Sequence, residues 1–456
     1  MTQSVIVQVG QCGNQIGAQF WSSALKEHAF HDESGHFVES VASFFRNIDS
    51  KTGRNLSVSN PPSQIQSLKA RAVLIDMEEG VLNGLLQSNV GELFNSTELI
   101  KDVSGAGNNW ATGFHFYGNN YREQIIEAIR RECELCDCLQ SFFILHSMGG
   151  GTGSGLGSRT LSLIADNFPD VFRFVIPVYP SADDDVITSP YNTTLAMKQI
   201  SEFGNCIMPV ENQSLTAICQ QLGTAKVDHI KHTVTESREK AFNKMNSLVA
   251  KVILDITASA RFDGSMNVDI NEICMNLVPF PKANYLVPAI APLYSPKIPQ
   301  PRHLDAIFSD VFSNSNQLCK VDLKKGTFLS CALLLRGNLQ VSDVRRNVDR
   351  LSENTKFIYW NKDGWKTGLC SVPPIKQMYS ILSLANNTCI KYSFENLRGR
   401  FFKLFSRKAH LHHYLNVDGM DINQVQLAHE SLTDQIGFYN EMDDAKPLHV
   451  SRPKVM

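Results

Sequence analysis

The sequence predicts an α/β fold in its first half, a mostly parallel sheet with helices on both faces, followed by a second folding region and a helical C-terminal part. Three observations predict it. Apolar runs of strand length alternate with amphipathic runs from Val5 to Val178. A glycine-rich turn, "HSMGGGTGSGLGS" over residues 146–158, joins one such strand to one such helix. After residue 260 repeated prolines break the alternation and mark loops and edges.

Taken in order, strands are expected at Val5–Val9, Ala72–Ile75, Leu139–Leu145 and Phe172–Val178, and helices at Ile16–His28, Tyr121–Arg131 and Leu156–Phe168. Parallel strands of this kind bind ligands at their carboxyl ends, so the loops that follow them should converge. Those loops are "GQCGNQ" (10–15), "DMEEG" (76–80), "SGAGNNW" (104–110), the glycine turn and "YPSADDDVITSPYN" (179–192). Five glycines between Gly149 and Gly155, at a strand-to-helix turn, leave bare amides and a helix N-terminus to surround an anion. The turn lacks the Gly-Lys-Ser/Thr of a P-loop and the spacing of a dinucleotide fingerprint. Asp76 and Glu78 are placed to organise a magnesium ion through waters, and further acids suit ribose hydroxyls. A polar stretch (223–240) precedes a long helix from about Ala241 to Ala260, and the region from Ser393 to about Asn440 is expected to be helical. Its stripe of Phe394, Leu397, Phe401 and Phe405 packs inward, with basic residues opposite.

The chain has 456 residues, enough for two or three domains. A formal charge of -2 argues against a nucleic-acid binder, and no apolar run approaches a membrane-spanning length. The beginning "MTQSVIVQVG" lacks a signal peptide's pattern, so a cytoplasmic location is expected and the eleven cysteines read as reduced thiols. Two weak metal hints, "CELCDC" (133–138) and the histidines at 410, 412 and 413, read as core thiols and as the cationic end of a helix.

The motifs "GQCGNQIG", "SGAGNNWA", "HSMGGGTGSGLGS", "SPYN" and "MNLVPFP", in this order and at these separations, resemble the tubulin family from Val5 to about Tyr439. "SFFRN", "ITSPYN", "LSLANNTC" and "KAHLHHYL" make the chain most similar to its epsilon branch. The resemblance implies a GTP-binding domain over residues 1–215, a polar insertion and central helix over 216–260, an α+β intermediate domain over 261–392, and C-terminal helices with a short tail over 393–456. It implies GTP or GDP with Mg2+ as ligands. Gln11, Cys12 and Gln15 would line the nucleotide, with Asp76 and Glu78 near magnesium and Asn108 and Ser147 adding polar contacts. Gly150, Gly151, Thr152 and Gly153 would cradle the phosphates, Asp185 would face the ribose, and Asn212, Asn246 and Phe242 would read and stack on guanine.

Two departures bear on affinity. Ser189 stands where many family members carry a glutamate near the ribose, and Phe242 replaces a tyrosine, so GTP is expected to bind more weakly or exchange faster. Glu272 matches the glutamate by which alpha-type chains help position the attacking water in a longitudinal neighbour's pocket. GTP hydrolysis, if the chain supports it, is therefore expected only across a subunit interface. Proline crowds the segment 291–304 at the lateral-contact position, and the ending "DDAKPLHVSRPKVM" replaces the family's long acidic tail. These point to a specialised subunit that meets other tubulins and centriolar proteins, in the cytoskeleton at the centrosome, centriole and basal body, with no nucleic-acid or membrane partner. A GTP-regulated interaction module that pairs with another tubulin without bulk polymerisation is the alternative. A separate metabolic enzyme is disfavoured, since no catalytic set assembles from the remaining motifs.

Overall fold

A computed structural model of the chain describes residues 2–56, 63–181, 186–223, 234–293 and 303–446, with side chains of the central helix described from residue 242. Asp185 and most of the segments 223–240, 291–304 and 443–456 lie outside the described residues.

The first sheet is parallel throughout. Its order is Cys206–Ile207, Phe172–Tyr179, Leu139–Ser147, Gln3–Val9, Ala72–Asp76 and Leu99–Lys101, with Val210–Glu211 also paired to Phe172–Tyr179. Register is fixed at the centre, where Ile6 lies beside Ala72 on one side and Phe143 on the other. Every residue of Gln3–Val9 is buried. That explains a continuous apolar run in place of alternation, because helices cover both faces of a parallel sheet.

The first helix, Gly10–His31, starts directly at the end of the first strand, six residues before the expected Ile16. Its glycines and amides hide the apolar periodicity, and tertiary packing sets the start instead. Ile16, Phe20, Trp21 and Ala24 are buried, and Trp21 meets Phe45 edge-on at 5.4 Å, which places the "SFFRN" stretch in the core.

The second sheet is mixed, in the order Val287–Ala291, Ser380–Asn387, Phe328–Arg336 and Trp365–Cys370. Its first two pairings are antiparallel and the last is parallel. The central helix, Val234–Ile256, lies between the two sheets. It reaches the first helix through Ser247 Oγ and Gln19 Oε1 at 3.3 Å, and the loop before the second sheet's inner strand Ser380–Asn387 through Lys251 Nζ and Gln377 Oε1 at 2.9 Å.

A buried ion network fastens these layers. Glu27 of the first helix pairs with Arg261 at 2.8 Å and with Arg336 of the second sheet at 3.0 Å. Arg336 also pairs with Asp255 of the central helix at 3.2 Å, and Ser380 Oγ donates to Asp255 at 2.7 Å. Burial alone would raise the Glu27 carboxyl, but the two guanidiniums hold it below its usual value.

The C-terminal region consists of Ile390–Phe405, a short turn of helix at His412–Leu415, and Ile422–Asp444. Phe394, Leu397 and Phe401 are buried and Phe405 is half-buried, so the apolar stripe packs as expected. The histidines are not at the end of that helix; Lys408 and His410 adopt left-handed backbone (φ 50° and 58°) in the turn after it. "CELCDC" differs in part: Cys138 is exposed and Cys133 and Cys136 are half-buried, not core thiols. Burial still pushes the Cys133 and Cys136 thiols up, and Arg71 donates to Cys136 Sγ at 3.3 Å. Among the described residues no His, Cys, Asp and Glu side chains gather as a metal-holding group, and no helix is long and apolar enough to cross a membrane.

Candidate functional site

No described residue of the loop 179–192 lines the site, but the other four loops expected to converge do so, at the carboxyl edge of the parallel sheet. They line a cavity of about 700 Å³. Gln11, Cys12 and Gln15 come from the opening turns of the first helix, and Asp76 from the last position of its strand, with Glu78 two residues on. Asn108 lies in the loop 104–110, Ser147 ends its strand, and Gly150, Gly151, Thr152 and Gly153 form the turn below. Asn212 opens the helix Asn212–Gln221, and Phe242 and Asn246 reach in from the central helix. Every described residue named for nucleotide or magnesium thus lines one cavity, while Glu272 and Ser189 do not.

Side chains missing from the glycine turn are missing for steric reasons. A Cβ on Gly151 would sit 2.6 Å from the Asn109 amide nitrogen, and one on Gly153 would sit 2.4 Å from Ser147 Oγ. A Cβ on Gly155 would sit 2.3 Å from the Trp110 carbonyl oxygen. Gly150 is different, since its Cβ would meet only Asn108 Oδ1 at 3.7 Å and Ser147 Oγ at 3.9 Å, both side chains of the cavity wall. Backbone therefore packs on backbone between the stretches Thr112–Tyr117 and Thr152–Leu156, both wound as π-helix. Such widened turns recur at functional sites. No sequence signal distinguished them from ordinary helix, beyond Gly113 and Gly155.

Polar chemistry at the cavity suits an anion with a hydrated cation. Asp76 Oδ1 accepts from the Glu78 amide at 3.3 Å, while Asp76 Oδ2 is buried without a protein partner. Burial pushes the Asp76 carboxyl up to about 6. A cation beside it would relieve that penalty, so the acid pair fits a magnesium ion held through water. Cys12 faces the cavity but its thiol is pushed up to about 12 by desolvation, which leaves it neutral and a poor nucleophile. Asn246 Nδ2 approaches Gln15 Oε1 at 3.4 Å, and Phe242 is 49% exposed at the rim, free to stack on a planar base.

Sequence reasoning missed the residues that hold this floor. Asn14 Nδ2 donates to the carbonyls of Gly10 at 3.0 Å and Ile75 at 3.2 Å, tying the first helix to the strand of Asp76. Asn192, fully buried, donates to the carbonyls of Asn108 at 2.8 Å and Gly149 at 2.7 Å and accepts from the Trp110 amide at 2.9 Å. The lining also includes Ala106, Gly107, Val178, Asn243 and Met245.

A family model described as the Tubulin/FtsZ family GTPase domain matches residues 3–220, and one for the tubulin C-terminal domain matches residues 281–399. The chain belongs to the tubulin family. It is 52% identical to the tubulin epsilon chain of Mus musculus, over 99% of this chain and 98% of that one. Identity to the tubulin epsilon chain of Homo sapiens is 50% over the same shares. Beta chains stand further off, as with 32% identity to the tubulin beta-1 chain of Colletotrichum graminicola over 98% of this tubulin and 96% of that chain. Guanine-nucleotide binding follows from the family, and so does a cytoskeletal protein.

Glu272 of this tubulin lies apart, in the first turn of the helix Ile270–Leu277, which Asp269 caps by accepting from the Ile270 amide at 2.9 Å. Its exposed carboxylate pairs with Lys366 Nζ at 2.6 Å, a partner that nothing in the sequence announces. Met275, one turn on, is 72% exposed, and Phe280 and Trp360 form an edge-on pair at 5.7 Å and are both partly exposed.

Proposed function

We propose that this tubulin binds GTP with magnesium in the cavity at the sheet's carboxyl edge and acts as a specialised subunit at centrioles and basal bodies, supporting triplet microtubules. The convergence of the named residues on one cavity carries the nucleotide reading. In it, the amides of Gly150–Gly153 and the open space at Gly150 cradle the phosphates, Asp76 and Glu78 hold magnesium through water, and Asn212 and Asn246 read the base on which Phe242 stacks. When bound, magnesium neutralises phosphate charge; the chain's own part is to orient the nucleotide and exclude water around it. Likeness to epsilon chains supports the centriolar role and partners, namely other tubulins and centriolar proteins. A tagged chain that stays away from centrioles, or triplets that persist without it, would overturn that role.

Residues 1–215, 216–260, 261–392 and 393–456 serve as the nucleotide domain, insertion with central helix, intermediate domain and C-terminal part. The loss of a hydroxyl at Phe242 makes exchange fast. Phe242→Tyr is expected to slow GDP release about threefold to tenfold, the worth of one hydrogen bond; stopped-flow release of a fluorescent guanine nucleotide checks it.

Glu272 acts in trans, orienting water in the pocket of a neighbouring subunit. Its distance from this chain's own cavity lining and the exposed Met275 beside it support that reading. Glu272→Ala is expected to leave nucleotide binding unchanged and to lower assembly-stimulated GTP hydrolysis by about 10²-fold or more. Phosphate release measured on mixed assemblies checks this, and an unchanged rate removes Glu272 from the reaction.

A further inference from the structure

The C-terminal helix Ile390–Phe405 and the turn after it carry a charge pattern that the nucleotide site does not use. Residues 396–413, "NLRGRFFKLFSRKAHLHH", contain five lysines and arginines, three histidines and no acid, in a chain of net charge -2. Lys403, Arg407 and Lys408 are exposed and, among the described residues, form no ion pair. Beside them Phe402 is 58% exposed. Gly399 lies on the exposed face, where a Cβ would meet nothing within 4 Å, although glycine inside a helix costs about 1 kcal/mol against alanine. Packing within the chain does not call for that glycine. A second backbone lying along the helix would.

The same segment is wired to the nucleotide cavity. Tyr191 Oη donates to the carbonyl of Ala409 at 3.0 Å, anchoring the turn in which Lys408 and His410 are left-handed. Asn109 Nδ2 donates to the carbonyl of His413 at 2.8 Å. Tyr414 Oη donates to Asn192 Oδ1 at 2.6 Å, and Asn192 clamps Asn108 and Gly149, next to the proposed phosphate cradle. Asn108 is itself left-handed, at φ 54°. This continuous chain of hydrogen bonds joins the turn at His413 and Tyr414 to the cavity loops, so ordering one can order the other.

We propose that the face formed by Gly399, Phe402, Lys403, Arg407 and Lys408 docks an acidic polypeptide segment of a partner protein, and that docking slows nucleotide release through His413 and Tyr414. Charge complementarity fixes the partner's sign. A peptide is favoured over a nucleic acid because this acid-free basic stretch is short, while the chain as a whole carries a net charge of -2 and would repel a longer polyanion. The release effect rests on the nucleotide reading above; the docking does not.

The test is titration of the full chain with a fluorescent glutamate decapeptide at low salt. Glutamine decapeptide, a ten-nucleotide RNA and vesicles containing phosphatidylserine are the comparators. The glutamate peptide is expected to bind best, to bind at least tenfold more weakly to the exposed-site variant K403E/R407E/K408E, and to lose affinity with salt. Its binding should slow release of a fluorescent guanine nucleotide about fivefold, within the usual range of coupling between sites. Tyr414→Phe should keep the peptide and lose the slowing. No preference over glutamine peptide, tighter binding of RNA or vesicles, or an unaffected charge-reversal variant overturns the docking face. Peptide binding with unchanged release overturns the coupling. Absence of any nucleotide binding overturns the pocket reading, and the peptide titration then decides the docking face by itself.

Discussion

Glu27→Ala is expected to lower the unfolding free energy of this tubulin by about 3–5 kcal/mol, the usual cost of removing one partner from a buried ion cluster. The variant leaves Arg261 and Arg336 buried with their shared carboxylate gone. Asp255 still faces Arg336 but nothing else in the network neutralises Arg261. Because Glu27 comes from the first helix, Arg261 from the short helix Ala258–Arg261 that follows the central helix, and Arg336 from the second sheet, the loss also loosens one layer from another. Urea unfolding read by circular dichroism measures it, and a change under about 1 kcal/mol would mean the layers hold without the network. The pH dependence has a definite sign. Glu27 is held below its ordinary value in the fold, so its contribution is complete above the unfolded pKa of about 4.3 and disappears as pH falls through the folded value. Wild type should therefore lose stability on acidification below about pH 4 more steeply than Glu27→Ala.

Two neighbouring glycines should separate ligand space from packing space. Gly150→Ala is expected to leave the melting temperature nearly unchanged, since the added methyl makes only ordinary contacts, yet to weaken GTP binding about tenfold or more by filling the proposed phosphate cradle. Gly151→Ala is expected to lose both. Its methyl would press on the Asn109 amide and on Ala106, backbone and side chain that cannot swing aside, at an overpacking cost of about 1–3 kcal/mol. Nucleotide titration and thermal unfolding of the two variants, run side by side, check the pair. Full affinity in Gly150→Ala would place the phosphates elsewhere.

Much of the nucleotide half was legible because its strands are continuous apolar runs closed by polar loops, and loops that follow parallel strands must meet. The glycine turn was legible for the same reason. What was not legible depends on contacts far apart in sequence. The helices Glu79–Leu86 and Ser189–Phe203 begin inside the stretches read as loops at 76–80 and 179–192, and Asn212–Gln221 is not among the expected helices, because tertiary packing sets where they start. Asn192, read only as part of "SPYN", became a four-way clamp through Tyr414, 222 residues away. Glu27 and Arg336 meet across 309 residues, and no periodicity could announce them. The break after Phe405 was hidden because the run that follows is as rich in helix formers as the helix itself.

The interlocked glycines also limit how the pocket can diverge. With Gly113, Gly151 and Gly155 pressed backbone to backbone, neither wall can accept a side chain unless the other retreats, so stepwise substitution there meets a barrier at each first step. The rim at Phe242 and Asn246 has no such constraint, because it approaches from a separate helix. Lineages or engineers that retune nucleotide preference in this fold should therefore find their variation on the central helix, with the phosphate end inherited nearly intact.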